Sequence, residues 1–187
     1  VDEQKMIGRY LSPFDQVVEI VKRDGKLMYT DPLSIVGGRC ESELYYQGNS
    51  QYALAEKPNT VGIQINPTDG QRYLVNYRSE AALENFAMRK LAANELMPFE
   101  VALNADLDQA LSVYQSWKAK KPNSRFLSAN ALNNAGYSAL GQKNIKGAIN
   151  FFTVYTTLYP SDANAYDSLG EAVMKNGDYQ QAIIWYK

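Results

Sequence analysis

Two stretches of this chain match at a spacing of 34 residues: Gly136 falls on Gly170, Ala148 on Ala182, Ile149 on Ile183 and Phe152 on Tyr186. A unit of that length cannot bury its apolar face alone, so neighbouring units must stack. The composition selects helices. Small residues recur where two helices of a unit would touch, Gly136 with Ala148 and then Gly170 with Ala182. Larger side chains recur between them: Leu132, Phe152 and Tyr155, then Tyr166, Leu169 and Tyr186. Pro160 stops the second helix of the first unit. In "NGDYQQA", Gly177 can take the left-handed conformation that turns one helix into the next.

Upstream, "DLDQALSVYQSWKAKKP" carries Leu107, Ala110, Leu111, Tyr114 and Trp117 as one helical stripe that Pro122 ends. Asp106 is placed to cap this helix. Ala110, Tyr114 and Pro122 match Ala148, Phe152 and Pro160 at a spacing of 38, so the helix reads as the second helix of an earlier, longer unit.

Before this region the apolar period is 2. "QVVEIVKRDGKLMYT" holds two β-rich runs joined by Asp24-Gly25, and "VGIQINPTDGQRYLVNY" holds two more joined through Asp69-Gly70. Asp-Gly between such runs signals a hairpin, because a type I′ turn needs positive φ. "RYLVNYR" puts Tyr73, Val75 and Tyr77 on one face and Leu74 and Asn76 on the other. "LSIVG", "ESELYYQ", "QYALAE" and "NFAMRKL" complete about eight short strands, which close into a small antiparallel barrel or pack as a sandwich. Tyr10, Phe14, Tyr29, Tyr45, Tyr46, Tyr52, Tyr73 and Tyr77 are candidates to line an interior pocket, or are ordinary strand aromatics.

Two family resemblances follow from these residues. The order "MIGRYLSP", "VVEIVKRDGKLMYTDP", "ESELYYQGNSQYALAE", "VGIQINPTDGQRYLVNY", "ENFAMRK" resembles the lipocalin-like β-domain that follows the catalytic domain in serine hydrolases of the β-lactamase and penicillin-binding-protein class. The helical region resembles tetratricopeptide repeats. Against that pattern Lys143 stands where the turn glycine would be, which predicts a rearranged first turn. Tyr155 replaces a small residue, which predicts looser packing there. The expected fold is therefore α+β: a lipocalin-like antiparallel barrel over residues 1–92, then tetratricopeptide-like helical hairpins over residues 93–187. The opening "VDEQKMIGRY" and the stop at Lys187 read as those of an excised or processed piece of a longer protein.

Several activities lack their residues. There is no histidine, which removes Ser-His-Asp and Cys-His catalysis and most zinc sites. Cys40 stands alone and reads as a small buried apolar residue. No serine is followed at the third position by lysine, and Lys-Thr-Gly and Gly-x-Ser-x-Gly do not occur. The pairs Asp106/Asp108 and Glu41/Glu43 read as a cap and as a solvated strand face. With 19 basic and 20 acidic residues, nothing resembles a nucleic-acid surface. No apolar run reaches the length of a membrane-spanning helix. No metal or other cofactor is expected.

The resemblances imply a non-catalytic accessory region of a bacterial, periplasmic or secreted hydrolase. Its partner would be a protein segment or the parent's own catalytic domain. In the resembled repeats the first helix of each unit lines the concave face, which here gives Asn130, Asn133, Tyr137, Asn164, Asp167 and Glu171. Amides and an aromatic ring suit the reading of an extended peptide backbone; the competing reading makes these residues the solvated side of the helices. The alternative function is binding of a small apolar ligand inside the barrel.

Overall fold

The structure is a computed structural model, and it describes residues 3–31, 40–55, 60–77 and 87–186. Two compact units divide the chain, the second beginning at Leu96 and continuing to its end. The expected strand "LSIVG", the run 78–86 and the side chain of Cys40 lie outside the described residues.

The first unit is a closed antiparallel barrel of eight strands in chain order. They are β1 (Gly8–Leu11), β2 (Val17–Arg23), β3 (Lys26–Asp31), β4 (Cys40–Gly48), β5 (Gln51–Leu54), β6 (Thr60–Ile65), β7 (Arg72–Asn76) and β8 (Ala87–Lys90). β8 returns to β1 through Tyr10↔Lys90 and Leu11↔Arg89, so no edge is left open. The β2–β3 turn is as expected: Asp24 (φ 51) and Gly25 (φ 78) are both left-handed. Asn49 (φ 49) and Ser50 (φ 60) turn β4 into β5 in the same way without glycine in either central place.

The β6–β7 hairpin forms, but not through a two-residue Asp-Gly turn. Ile65 pairs with Arg72, leaving a longer loop. The Asn66 N–H donates to the Gln71 carbonyl (2.9 Å), and the Asn66 and Asp69 carboxamide and carboxylate oxygens accept from Thr68 N–H (2.9 Å) and Gln71 N–H (2.8 Å). Pro67 accounts for the difference, since a longer loop accommodates its fixed φ and missing N–H.

Side chains fill the barrel interior. Tyr10, Val18, Ile20, Leu44, Val61 and Leu74 are at its centre, with Tyr29 and Tyr52 among them. The candidate pocket aromatics therefore separate. Tyr10, Tyr29 and Tyr52 are core, whereas Phe14, Tyr45 and Tyr46 are exposed. Tyr10 is satisfied by donating to the Met6 carbonyl (2.7 Å). On β7 both Leu74 and Val75 are buried, and Leu74 belongs to the interior cluster.

The second unit holds six helices among the described residues: α1 (Pro98–Asn104), α2 (Leu107–Lys120), α3 (Ala129–Gly141), α4 (Ile145–Leu158), α5 (Ala163–Lys175) and α6 (Tyr179–Trp185). Short polar residues start five of them. Asp106, Ser128, Asn144, Asp162 and Asp178 each accept a backbone N–H of the first turn. Short connections make consecutive helices antiparallel neighbours. α3 packs on α4, α4 on α5 and α5 on α6.

The two hairpins close by the same geometry. Asn144 N–H bonds to the Ala139 carbonyl (2.9 Å), and Asp178 N–H bonds to the Val173 carbonyl (3.2 Å). Lys143 N–H reaches Leu140 as Gly177 N–H reaches Met174, both at 3.0 Å. Lys143 takes φ 61 where Gly177 takes φ 88, so the expected rearrangement of the first turn does not occur. The hydrogen bonds outweigh the steric cost of a left-handed lysine, about 1 kcal/mol. Lys143→Gly is accordingly expected to raise stability by about 0.5–1 kcal/mol, read as a higher midpoint in chemical denaturation.

The glycines sit against rings. A Cβ on Gly136 would lie 2.4 Å from the Phe152 ring, and one on Gly170 would lie 3.0 Å from Tyr186. Tyr155 is buried, and its hydroxyl donates to Asp162 (2.5 Å), the residue that caps α5. α2 packs on α1, the helix just before it, and on α4. The short 3-10 turn Arg125–Leu127 intervenes before α3, and its Phe126 stacks against Trp117 (5.9 Å) and Phe99 (5.8 Å). No helix among the described residues is long and apolar enough to cross a membrane.

Candidate interaction face on helices α3 and α5

Asn130, Asn133 and Tyr137 stand three and four residues apart on α3, as Asn164, Asp167 and Glu171 do on α5, so each trio forms one helical stripe. α3 and α5 also contact each other directly. Four of the six residues join one hydrogen-bonded cluster. Tyr137 donates to Glu171 Oε2 (3.1 Å), and Ser168 Oγ donates to Asn133 Oδ1 (3.0 Å). Asn164 Nδ2 reaches the same Asn133 oxygen at 3.5 Å. The Tyr137 and Ser168 hydroxyls are 3.3 Å apart. Two hydroxyl protons thus serve three contacts, and the Tyr137–Ser168 contact takes one only when another releases it. Asn130 and Asp167 are exposed outside this cluster.

Ser168 is the residue that sequence reasoning missed. It is fully buried and links the two helices. Its signal was weak: one hydroxyl one turn after Asn164, on a helix whose other inward residues are apolar. Lys175 was missed too. Its Nζ lies 2.6 Å from Glu171 Oε1.

Charge and burial act together here. The Lys175 ammonium holds the Glu171 carboxyl below its ordinary range, with Tyr137 assisting and partial burial opposing. Burial pushes the Tyr137 hydroxyl up, and the Glu171 carboxylate adds to the rise. Tyr137 therefore stays protonated and is a stable donor. Its ring meets Phe152 edge-on at 5.2 Å, which anchors it to α4.

Asp167 faces a different environment. With Tyr166, Ile184, Trp185 and Tyr186 it lines a groove of about 570 Å³ between α5 and α6. The six predicted residues thus divide between an internally bonded cluster and exposed positions beside it.

Three carboxylates of the other candidate pairs have structural partners. Asp106 accepts from Gln109 N–H at the start of α2 (2.9 Å). Glu41 on β4 pairs with Arg23 on β2 (3.0 Å), across the intervening β3, and Glu43 pairs with Lys26 (2.9 Å) between the neighbouring strands β4 and β3. Comparison with protein-family models and with curated proteins gives no match.

Proposed function

We infer that this chain is a non-catalytic accessory region. Its helices form tetratricopeptide-like hairpins that bind an extended protein segment along α3 and α5, or dock on a neighbouring domain of the same protein. The observation that carries this reading is the agreement of the two hairpins, atom for atom, in the closing turn and in the glycine-to-ring contact. Stacked hairpins of that kind leave their first helices side by side. Here that places exposed Asn130, Tyr137 and Asn164 on one ribbon, with amides and a hydroxyl for a peptide backbone. Part of this polar capacity is taken up by the Ser168 cluster, so a bound peptide competes most easily for Asn130, Asn164 and the Tyr137 hydroxyl.

The barrel is read as the lipocalin-like β-domain of a β-lactamase-related serine hydrolase, periplasmic or secreted. The support is the order of its strand motifs together with the meander that closes in chain order. The reading needs a Ser-x-x-Lys domain elsewhere in the full reading frame.

The test is binding of an extended-peptide array to the chain and to its Asn130→Ala/Asn164→Ala variant. Selective peptides should lose at least tenfold in affinity with the variant. Equal binding by both proteins, or no selective peptide, would overturn the peptide-binding role. Turnover of a chromogenic β-lactam or ester by the chain alone would overturn the non-catalytic reading.

A further inference from the structure

We propose that the mouth of the β-barrel is a binding site for a small amphiphilic carboxylate. A cleft of about 280 Å³ opens there. Its apolar side is made by Met6, Tyr52, Ile63 and Ile65, and its polar side by Lys5, Ser50 and Arg72. The fold places these groups by simple rules. Ile63 and Ile65 alternate onto one face of β6, and Arg72 pairs with Ile65 across the β6–β7 ladder. Met6 follows the short turn Glu3–Lys5 over the same end of the barrel. Met6, Tyr52 and Ile63 also belong to the interior cluster or pack against it, so the floor of the cleft is continuous with the apolar core.

The polar side has one character. Lys5 and Arg72 carry positive charge, Ser50 brings a hydroxyl, and no carboxylate lines the cleft among the described residues. The Tyr52 hydroxyl is buried with no hydrogen-bond partner among the described residues. Glu3, the acid whose field reaches Tyr52, is itself paired with Lys22 at 2.9 Å. Among the described residues Arg72 has no ion-pair partner. Its charge extends into the barrel end, where it adds to burial in holding the Lys90 ammonium below its ordinary range. Lys90 donates to the Ile7 carbonyl (2.7 Å), so a third cation stands behind the first two.

A site with cations at the rim and hydrocarbon at the floor selects an anion with an apolar tail. Its size sets the tail length. About 280 Å³ holds roughly nine groups of water size at ~30 Å³ each, near the lower limit of small-molecule sites. An eight-carbon carboxylate fits, with its head at Arg72 and its tail along Ile63 and Met6. This site is distinct from the barrel interior, which side chains already fill.

Titration calorimetry and amide chemical-shift mapping test the site with three probes: octanoate, octan-1-ol and acetate. Octanoate should bind saturably, at least tenfold more tightly than either other probe, and more weakly as salt is raised. It should shift the amides of Ile63, Ile65 and Arg72. Arg72→Glu, a change at an exposed position, should fold as judged by circular dichroism and lose at least tenfold in octanoate affinity. Lys118→Glu on α2 alters net charge equally and should bind as the unchanged protein does. Octanol binding as tightly as octanoate, absence of octanoate binding, undiminished affinity in Arg72→Glu, or shifts confined to other strands would each overturn the proposal.

Discussion

Replacing Gly136 by leucine is expected to destabilise the helical unit by about 2–3 kcal/mol. The position lacks space. A Cβ there would sit 2.4 Å from the Phe152 ring, which is itself fully buried and meets the Tyr137 ring edge-on. The buried Phe152 ring cannot swing out to solvent, so α3 and α4 must separate. Leucine recovers about 1 kcal/mol through its better helix propensity, and this gain is already included in the net loss. Gly170→Leu, at the equivalent position one repeat later, should cost only about 1 kcal/mol. There the obstructing ring belongs to Tyr186, which is 47% exposed and lies just beyond the end of α6. Trp117 and Trp185 both lie in the helical unit, so tryptophan fluorescence follows its unfolding separately from the barrel. The expected midpoint decrease for Gly136→Leu is roughly 10–20 °C. A decrease no larger than that of Gly170→Leu would contradict the packing described.

Asn150 carries the second large effect. It is 2% exposed, and its amide donates to the carbonyls of Ala102 (2.9 Å) and Ala105 (3.2 Å) at the end of α1. These carbonyls have no partner within their own short helix. Asn150→Ala should cost about 2–4 kcal/mol, because two acceptors lose their donor and a cavity remains. Asn150→Asp keeps the shape but removes both donors and sets a carboxylate against carbonyl oxygens. It should be the worse change at neutral pH. Burial and the carbonyl dipoles raise the folded-state pKa of the introduced acid above its unfolded value. The relative stability is therefore greatest below the unfolded pKa and is lost as pH rises through the folded one. Denaturation of both variants at acid and neutral pH checks this. Asn150→Asp equal to the unchanged protein at neutral pH would show that the amide donors contribute nothing.

Features with a local cause were legible from residues alone. The helical hairpins were visible because the spacing of 34 is imprinted on glycines, alanines and rings together. The Asp24-Gly25 turn was visible because few residues tolerate positive φ at two successive positions. Features that depend on a distant neighbour were not. α1 spans only seven residues, too few to display the helical period, although Pro98 at its first position marks its start. Lys143 looked like a break in the pattern, yet backbone hydrogen bonds hold it where glycine would otherwise sit. Nothing in the sequence singled out Asn150 or Ser168; both are buried, and a neighbouring helix supplies their partners. Tyr46 pairs with Tyr52 across β4 and β5, but it is exposed while Tyr52 is core. Alternation gives the face of the strand and not the depth within the barrel.

Nuclear Overhauser contacts in solution test most directly whether the two hairpins share one packing. The account predicts cross-peaks from the Gly136 Hα protons to the Phe152 ring and from the Gly170 Hα protons to the Tyr186 ring, with helical shifts on both sides of left-handed Lys143 and Gly177. Absence of both ring contacts, or extended-strand shifts between Ala129 and Trp185, would contradict it.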